Sequence, residues 1–316
     1  MLLFKAAVLL LCVWFIYQRI HDASIVQFYE LFFTENGWKD VLIMVLFLLF
    51  FSFLNWWCEA MKWKNMMENT IHLSPRDSLK AVLSGLAVGF VTPARAGDVV
   101  GRWLKLGTEN KKPALAVFFY SSLFQTFTTL LAGVIAFILM LYFYYDPRWE
   151  WNSAYILFPV VFVIAACVAG YFVFSNFFRD KMKNKTIFGM DKISEFISWP
   201  LQEKLRFFSW SLFRYVFFCT SFVFVLWQTG VSDDWFYLFL GVSVIYLISF
   251  FLPSLIAGKL GVRELVAVLL LGGNPEADLK IIFASLIIWI FNLALPALIG
   301  AIIVSSSKIT QPFARI

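Results

Sequence analysis

Seven stretches of about 20 apolar residues, near 2–18, 40–61, 113–145, 153–178, 207–228, 235–252 and 279–304, leave this chain little choice of surroundings. In a bilayer the backbone must satisfy its own hydrogen bonds, so such stretches fold as helices. Hydrophobic residues make up 61% of the sequence and charged ones 15%, against roughly 25% charged in a soluble domain. The fold expected is an all-α polytopic membrane protein, read as a single transmembrane domain over 1–316. The stretch from Leu2 to Tyr17 has almost no charge before it and no small-residue cleavage site after it, and reads as a retained first span. As one straight helix, 113–145 would be about 50 Å long against a bilayer core of about 30 Å, so it is expected to tilt, to kink near Gly133 or to project.

Basic residues partition unevenly between the spans. Segment 62–112 carries nine Lys and Arg, 179–206 carries seven and 252–280 carries three, whereas 18–40 carries only Arg19 and Lys39 and 229–235 none. The positive-inside rule then places the N-terminus in the cytoplasm. An eighth span arises if the segment around Gly258 crosses fully, which moves the C-terminal tail inside. The net charge of +6 is distributed as a membrane surface requires and does not point to nucleic acid. Cys12, Cys58, Cys167 and Cys219 have no metal-ligand spacing, and His21 and His72 are the only histidines, so no metal or other cofactor is expected. No phosphate-binding glycine loop of the nucleotide-hydrolysing type is present, which argues against direct use of ATP.

Two segments break the apolar pattern in the same way. The first runs Thr92-Pro93-Ala94-Arg95-Ala96-Gly97-Asp98-Val99-Val100-Gly101-Arg102, and the second runs from Pro253 through Gly258, Lys259 and Gly261 to Arg263-Glu264. Each follows one apolar span and precedes a polar turn with Pro and another span. The unit "span, broken hairpin, span" thus repeats over about 40–145 and about 235–304. Broken helices in duplicated units are a design of transporters, and the two motif segments are expected to be re-entrant hairpins flanking a polar cavity.

Charges at membrane depth are costly, which makes Arg95, Asp98, Arg102, Arg263 and Glu264 candidates for substrate binding, together with Thr92, Lys259 and Arg214. Arg suits phosphate because its planar fork makes bidentate contacts. Pro93, Gly97, Pro253, Gly258 and Gly261 are the expected hinges. Arg263 and Glu264 point about 100° apart on a helix and need not pair, so partners for them are sought among Arg95, Asp98 and Arg102. Asn55 and Glu59 share one helical face near a span end, where Glu59 reads as interfacial. Gln125 and Asn292 read as interhelical hydrogen-bonding residues, and Trp56 and Trp63 as members of an interfacial aromatic belt.

The run Leu83-Ser84-Gly85 through Thr92-Pro93 and Gly97-Asp98 to Arg102, with the later Pro253, Gly258, Gly261 and Arg263-Glu264, resembles the transmembrane, flippase-like family of lysylphosphatidylglycerol synthases. The tract Asn55 to Lys64 is similar to the end of that family's second span. The resemblance implies a protein of the bacterial cytoplasmic membrane that moves lipids between leaflets. The 316 residues leave no room for the aminoacyl-transferase domain of the bifunctional members, so lysyl-lipid synthesis is not expected. Asp98 stands where the family often has Glu, and Lys259 where it often has Gly. The charges that the family often carries in the span after each hairpin are replaced here by Leu123-Phe124-Gln125 and Ile287-Ile288-Trp289.

The expected function is therefore lipid transport across the cytoplasmic membrane without a catalytic residue set. The alternative is an integral membrane enzyme on a lipid-linked substrate, with Asp98 and Arg95 beside a phosphate. A separate transferase and a second copy of the chain are the protein partners this reading admits.

Overall fold

The computed structural model describes residues 37–68, 70–90, 92, 95–104, 106, 111–144, 168, 199–252 and 261–306. The expected span at 2–18, that at 153–178 apart from Val168, and Pro93, Pro253, Gly258 and Lys259 lie outside these residues. What is described is helical: α1 (Trp38–Met67), α2 (Pro75–Phe90), α3 (Gly97–Trp103), α4 (Lys111–Tyr144), α5 (Leu201–Gln228), α6 (Trp235–Phe251), α7 (Val262–Leu271), α8 (Pro275–Trp289) and α9 (Leu295–Ser306). A π-helical turn, Ile290–Ala294, joins α8 to α9. Pro296 has no amide hydrogen for the Asn292 carbonyl, and the helix widens at that point.

Among the described residues four helical stretches are long and apolar enough to cross a membrane: Trp38–Met67, Pro113–Tyr144, Leu201–Gln228 and Pro275–Ser305. On α1 the exposed residues Leu42, Ile43, Leu46, Leu49, Phe50 and Phe53 form one stripe at helical spacing. An apolar face of that length suits lipid, not water. The chain is an all-α, multi-pass membrane protein.

By internal packing the described chain divides into two compact units, and the divisions fall inside α1, α4 and α5 and after the π turn. The first takes α1 up to Phe53, α4 from Ala132, and the run from Phe217 to Ala294. Its apolar centre includes Ala136 of α4 and Leu240 and Val244 of α6. Helix α4 runs as one continuous helix through Gly133. A Cβ at Gly133 would lie 2.6 Å from the Leu247 Cβ, so this glycine serves close helix packing. Within the same unit Asp234 caps α6: its Oδ1 accepts the Tyr237 amide at 2.9 Å and its Oδ2 accepts the Tyr144 hydroxyl at 2.6 Å. Asn274 caps α8 through the Ala277 amide at 2.9 Å, with Pro275 in the first turn.

The second unit takes Leu54 to Leu131, residues 199–216 of the described chain, and α9 from Leu295. Its centre is a helical hairpin made by α2 and α3. Gly85 and Gly89 of α2 meet Asp98 of α3, and Gly101 of α3 meets Ser84 and Gly85. A Cβ on Gly101 would overlap the Ser84 carbonyl oxygen, and one on Gly85 would stand 2.7 Å from Arg102 Cγ. Only hydrogen at these positions lets the backbones come together. Helix α9 uses the same device, with Gly300 against the Leu83 carbonyl.

Replacing Gly101 by Val forces backbone apart, a change expected to cost about 1–3 kcal/mol or more. The thermal midpoint in detergent should fall for Gly101→Val but not for Gly273→Ala, since a Cβ at Gly273 meets nothing within 4 Å. The Tyr144 hydroxyl, and then the Tyr237 amide, hold the Asp234 carboxyl below the usual aspartate value. Its ionised cap thus stabilises the fold above a pH of about 4 and is lost below it. The midpoint advantage of the native chain over Asp234→Asn should shrink as pH falls from 6 toward 3.

Candidate functional site

The second unit holds a chain of buried charges that begins on α1. Asn55, Glu59 and Lys62 are four and three residues apart, which places them on one face of that helix. Helix α1 continues to Met67, beyond the expected span end at 61, so this face lies within the helix body. Glu59 is only 5% exposed and Lys62 is fully buried. The expectation of an interfacial Glu59 is thus corrected: the hairpin, α4 and α5 cover the helix there, and a sequence window cannot register that cover.

Glu59 joins three cations. Its Oε1 accepts Arg102 Nη2 at 3.1 Å, and its Oε2 accepts Arg214 Nη1 at 2.9 Å and pairs with Lys62 Nζ at 3.0 Å. Asp98 joins two, accepting Arg102 Nε at 2.8 Å and Arg95 Nη2 at 3.0 Å. Neutral groups complete the shell. Arg214 Nε donates to Asn55 Oδ1 at 3.2 Å, and its Nη1 also reaches Gln125 Oε1 at 3.5 Å. Lys62 Nζ donates to Ser211 Oγ at 3.2 Å and to the Ser121 carbonyl at 3.5 Å.

Aromatic rings close the faces of the guanidiniums. Arg102 Cζ lies 4.7 Å from the Trp63 ring centre and 5.3 Å from that of Phe118, and Arg214 Cζ lies 5.0 Å from that of Trp56. Trp56 and Trp63 are buried walls of the site and do not form the expected interfacial belt. One edge of Arg102 is left over: Nη1 is buried and has no hydrogen-bond partner among the described residues. Among the described residues, Lys62, Arg95, Arg102 and Arg214 against Glu59 and Asp98 leave a net of two positive charges.

Local backbone builds this arrangement. Thr92 Oγ1 accepts the Gly97 amide at 2.8 Å and donates back to the end of α2, at Val88 O (3.1 Å) or Gly89 O (3.2 Å). The threonine therefore ties α2 to the start of α3. Between them Arg95 adopts φ 59°, the left-handed region that a side chain enters at a cost of order 1–3 kcal/mol. That turn aims its guanidinium at Asp98. Gly97 packs against Val88, where a Cβ would come within 2.8 Å of the valine side chain.

The second motif lies in the first unit and is organised differently. Gly261 has φ 87°, available to glycine alone at low cost, and precedes α7. Glu264 Oε2 accepts the Gly261 amide at 2.6 Å, which stabilises the helix start. Arg263 Nη2 pairs with Glu264 Oε1 at 3.3 Å and donates to the Ser285 carbonyl at 2.6 Å. The two neighbours thus bond to each other, although adjacency on a helix did not require it. Phe222 stacks on Arg263 at 5.6 Å.

Of the eight expected binding residues, Arg95, Asp98, Arg102 and Arg214 meet in one cluster, Thr92 shapes it, and Arg263 and Glu264 form a separate pair. Glu59 and Lys62 complete the cluster without having been chosen. Their spacing with Asn55 was the available signal. Removing Glu59 leaves the buried Lys62 and Arg102 and the partly exposed Arg214 each short of a partner, a change expected to cost about 3–5 kcal/mol. Glu59→Gln should therefore lower the denaturation midpoint in detergent more than Asp98→Asn, whose partner Arg95 is 35% exposed. Equal small shifts would mean that water already screens the cluster.

Comparison with known proteins identifies the family. Residues 2–300 match the family described as Lysylphosphatidylglycerol synthase TM region. No curated protein matches the chain. The match spans both motif segments and every described helix up to Gly300, and it ties the chain to membrane lipids. The chain belongs to the lysylphosphatidylglycerol synthase transmembrane-region family.

Proposed function

We propose that this protein is a lipid transporter that moves a phospholipid or lipid-linked headgroup across the cytoplasmic membrane, with the headgroup phosphate engaged by the α1–α3–α5 charge cluster. The observation that carries this reading is the surplus of two positive charges around a buried guanidinium edge with no partner, Arg102 Nη1. Buried positive charge in excess of its carboxylate partners is costly, and a phosphate supplies both the charge and in-plane acceptors for the guanidinium. Re-entrant placement of the two motif segments, a cytoplasmic N-terminus and a facilitated or ion-coupled mechanism belong to the same proposal. An enzymatic role with Asp98 as base has less support, because both of its oxygens already accept from guanidiniums.

Leaflet exchange tests the reading. In proteoliposomes containing fluorescent phosphatidylglycerol or phosphatidic acid, the native chain should make inner-leaflet label accessible to an external quencher. Arg102→Ala should slow that exchange by roughly tenfold or more, as loss of a buried charged contact does. Exchange at the protein-free rate for both lipids would sink the proposal, and a new lipid species in the extract would favour the enzyme.

A further inference from the structure

The charge cluster also carries information about the kind of headgroup it takes. The contacts Arg95–Asp98–Arg102–Glu59, with Lys62 and Arg214 on Glu59, are each 2.8 to 3.1 Å long. The two surplus charges therefore belong to one connected group and not to separate ends of a groove. We propose that the ligand of this cluster is a lipid phosphomonoester in its dianionic form. This rests on the reading of the cluster as a phosphate site and goes further by choosing among phosphates.

Charge makes the first argument. A zwitterionic headgroup leaves both surplus charges unmatched and a phosphodiester leaves one. A phosphomonoester carries close to two negative charges above its second ionisation, near pH 6. At the low effective dielectric of a buried site, each unmatched charge matters far more than in water.

The unspent donors make the second. On Arg102, Nε and Nη2 are committed to Asp98 and Glu59 and aromatic rings lie against the guanidinium, which leaves the buried Nη1 as its uncommitted nitrogen. Lys62 is occupied by Glu59, Ser211 and the Ser121 carbonyl. The open members are Arg95, whose side chain is 35% exposed and whose Nε has no partner, and Arg214, at 19%. A terminal phosphate presents three unsubstituted oxygens to such a set of guanidiniums, whereas a diester presents two and adds a second bulky substituent.

Calorimetric titration of the full chain in detergent with short-chain phosphatidic acid, short-chain phosphatidylglycerol and inorganic phosphate, at pH 7.5 and 5.5, tests the assignment. At pH 7.5 phosphatidic acid should bind at least about tenfold more tightly than phosphatidylglycerol. Lowering the pH to 5.5 should weaken phosphatidic acid several-fold and leave phosphatidylglycerol unchanged. Arg95→Gln, at a half-exposed position, removes one surplus charge and should shrink the preference even if Arg102→Ala does not survive purification. Equal affinities without pH dependence, both reduced by Arg102→Ala or Arg95→Gln, would overturn the dianion assignment and leave the phosphate site standing. Affinities that neither substitution alters would overturn both. Inorganic phosphate binding as tightly as phosphatidic acid would make the ligand a free anion and not a lipid.

Discussion

The carboxylate of Glu59 is the interaction on which the described second unit depends. Three cations from three helices converge on its two oxygens: Lys62 from α1, Arg102 from α3 and Arg214 from α5. Each of these ions is costly away from water, and their mutual repulsion adds to that cost. The carboxylate offsets both only because all three donors reach it at hydrogen-bond distance. It also links elements far apart in sequence, so the first motif, the second span and the middle of α5 are fixed as one object.

Such convergence requires that the backbone of the first motif come close. The glycines of α2 and α3 provide the approach, since a Cβ at Gly85 or Gly101 would collide with the facing helix. Thr92 and the left-handed turn at Arg95 then set where α3 begins and where Asp98 and Arg102 emerge. Glycine in this motif thus serves close packing. At the second motif the roles divide: Gly261 supplies the left-handed turn, and Glu264 holds the helix start that follows it.

Much of this was legible beforehand because membrane insertion imposes a strong pattern on sequence. Helices α1, α4 and α5 and the α8–α9 pair stand where apolar length alone put them, and Arg102 and Arg214 were conspicuous as charges among apolar neighbours. Glu59 was not, because a charge near the end of an apolar window reads as headgroup-facing until another element covers it. The same error moved Trp56 and Trp63 to an interfacial belt, although their rings lie against Arg214 and Arg102. Gln125 of α4 lies beside Arg214 of α5, as an interhelical hydrogen-bonding residue does. Periodicity reports which residues share a helix face, but which face is covered is decided by the partner helices.

A phosphate at the unspent edge of Arg102 separates a headgroup site from a purely structural charge network. An experimental structure of the protein in lipid nanodiscs containing phosphatidic acid tests it most directly, at a resolution that separates phosphate from water. The expected result is a headgroup phosphate with an oxygen in the guanidinium plane at hydrogen-bond distance from Arg102 Nη1. An Arg102 edge closed by protein or by water alone, with lipid phosphates confined to the bilayer surface, would contradict it.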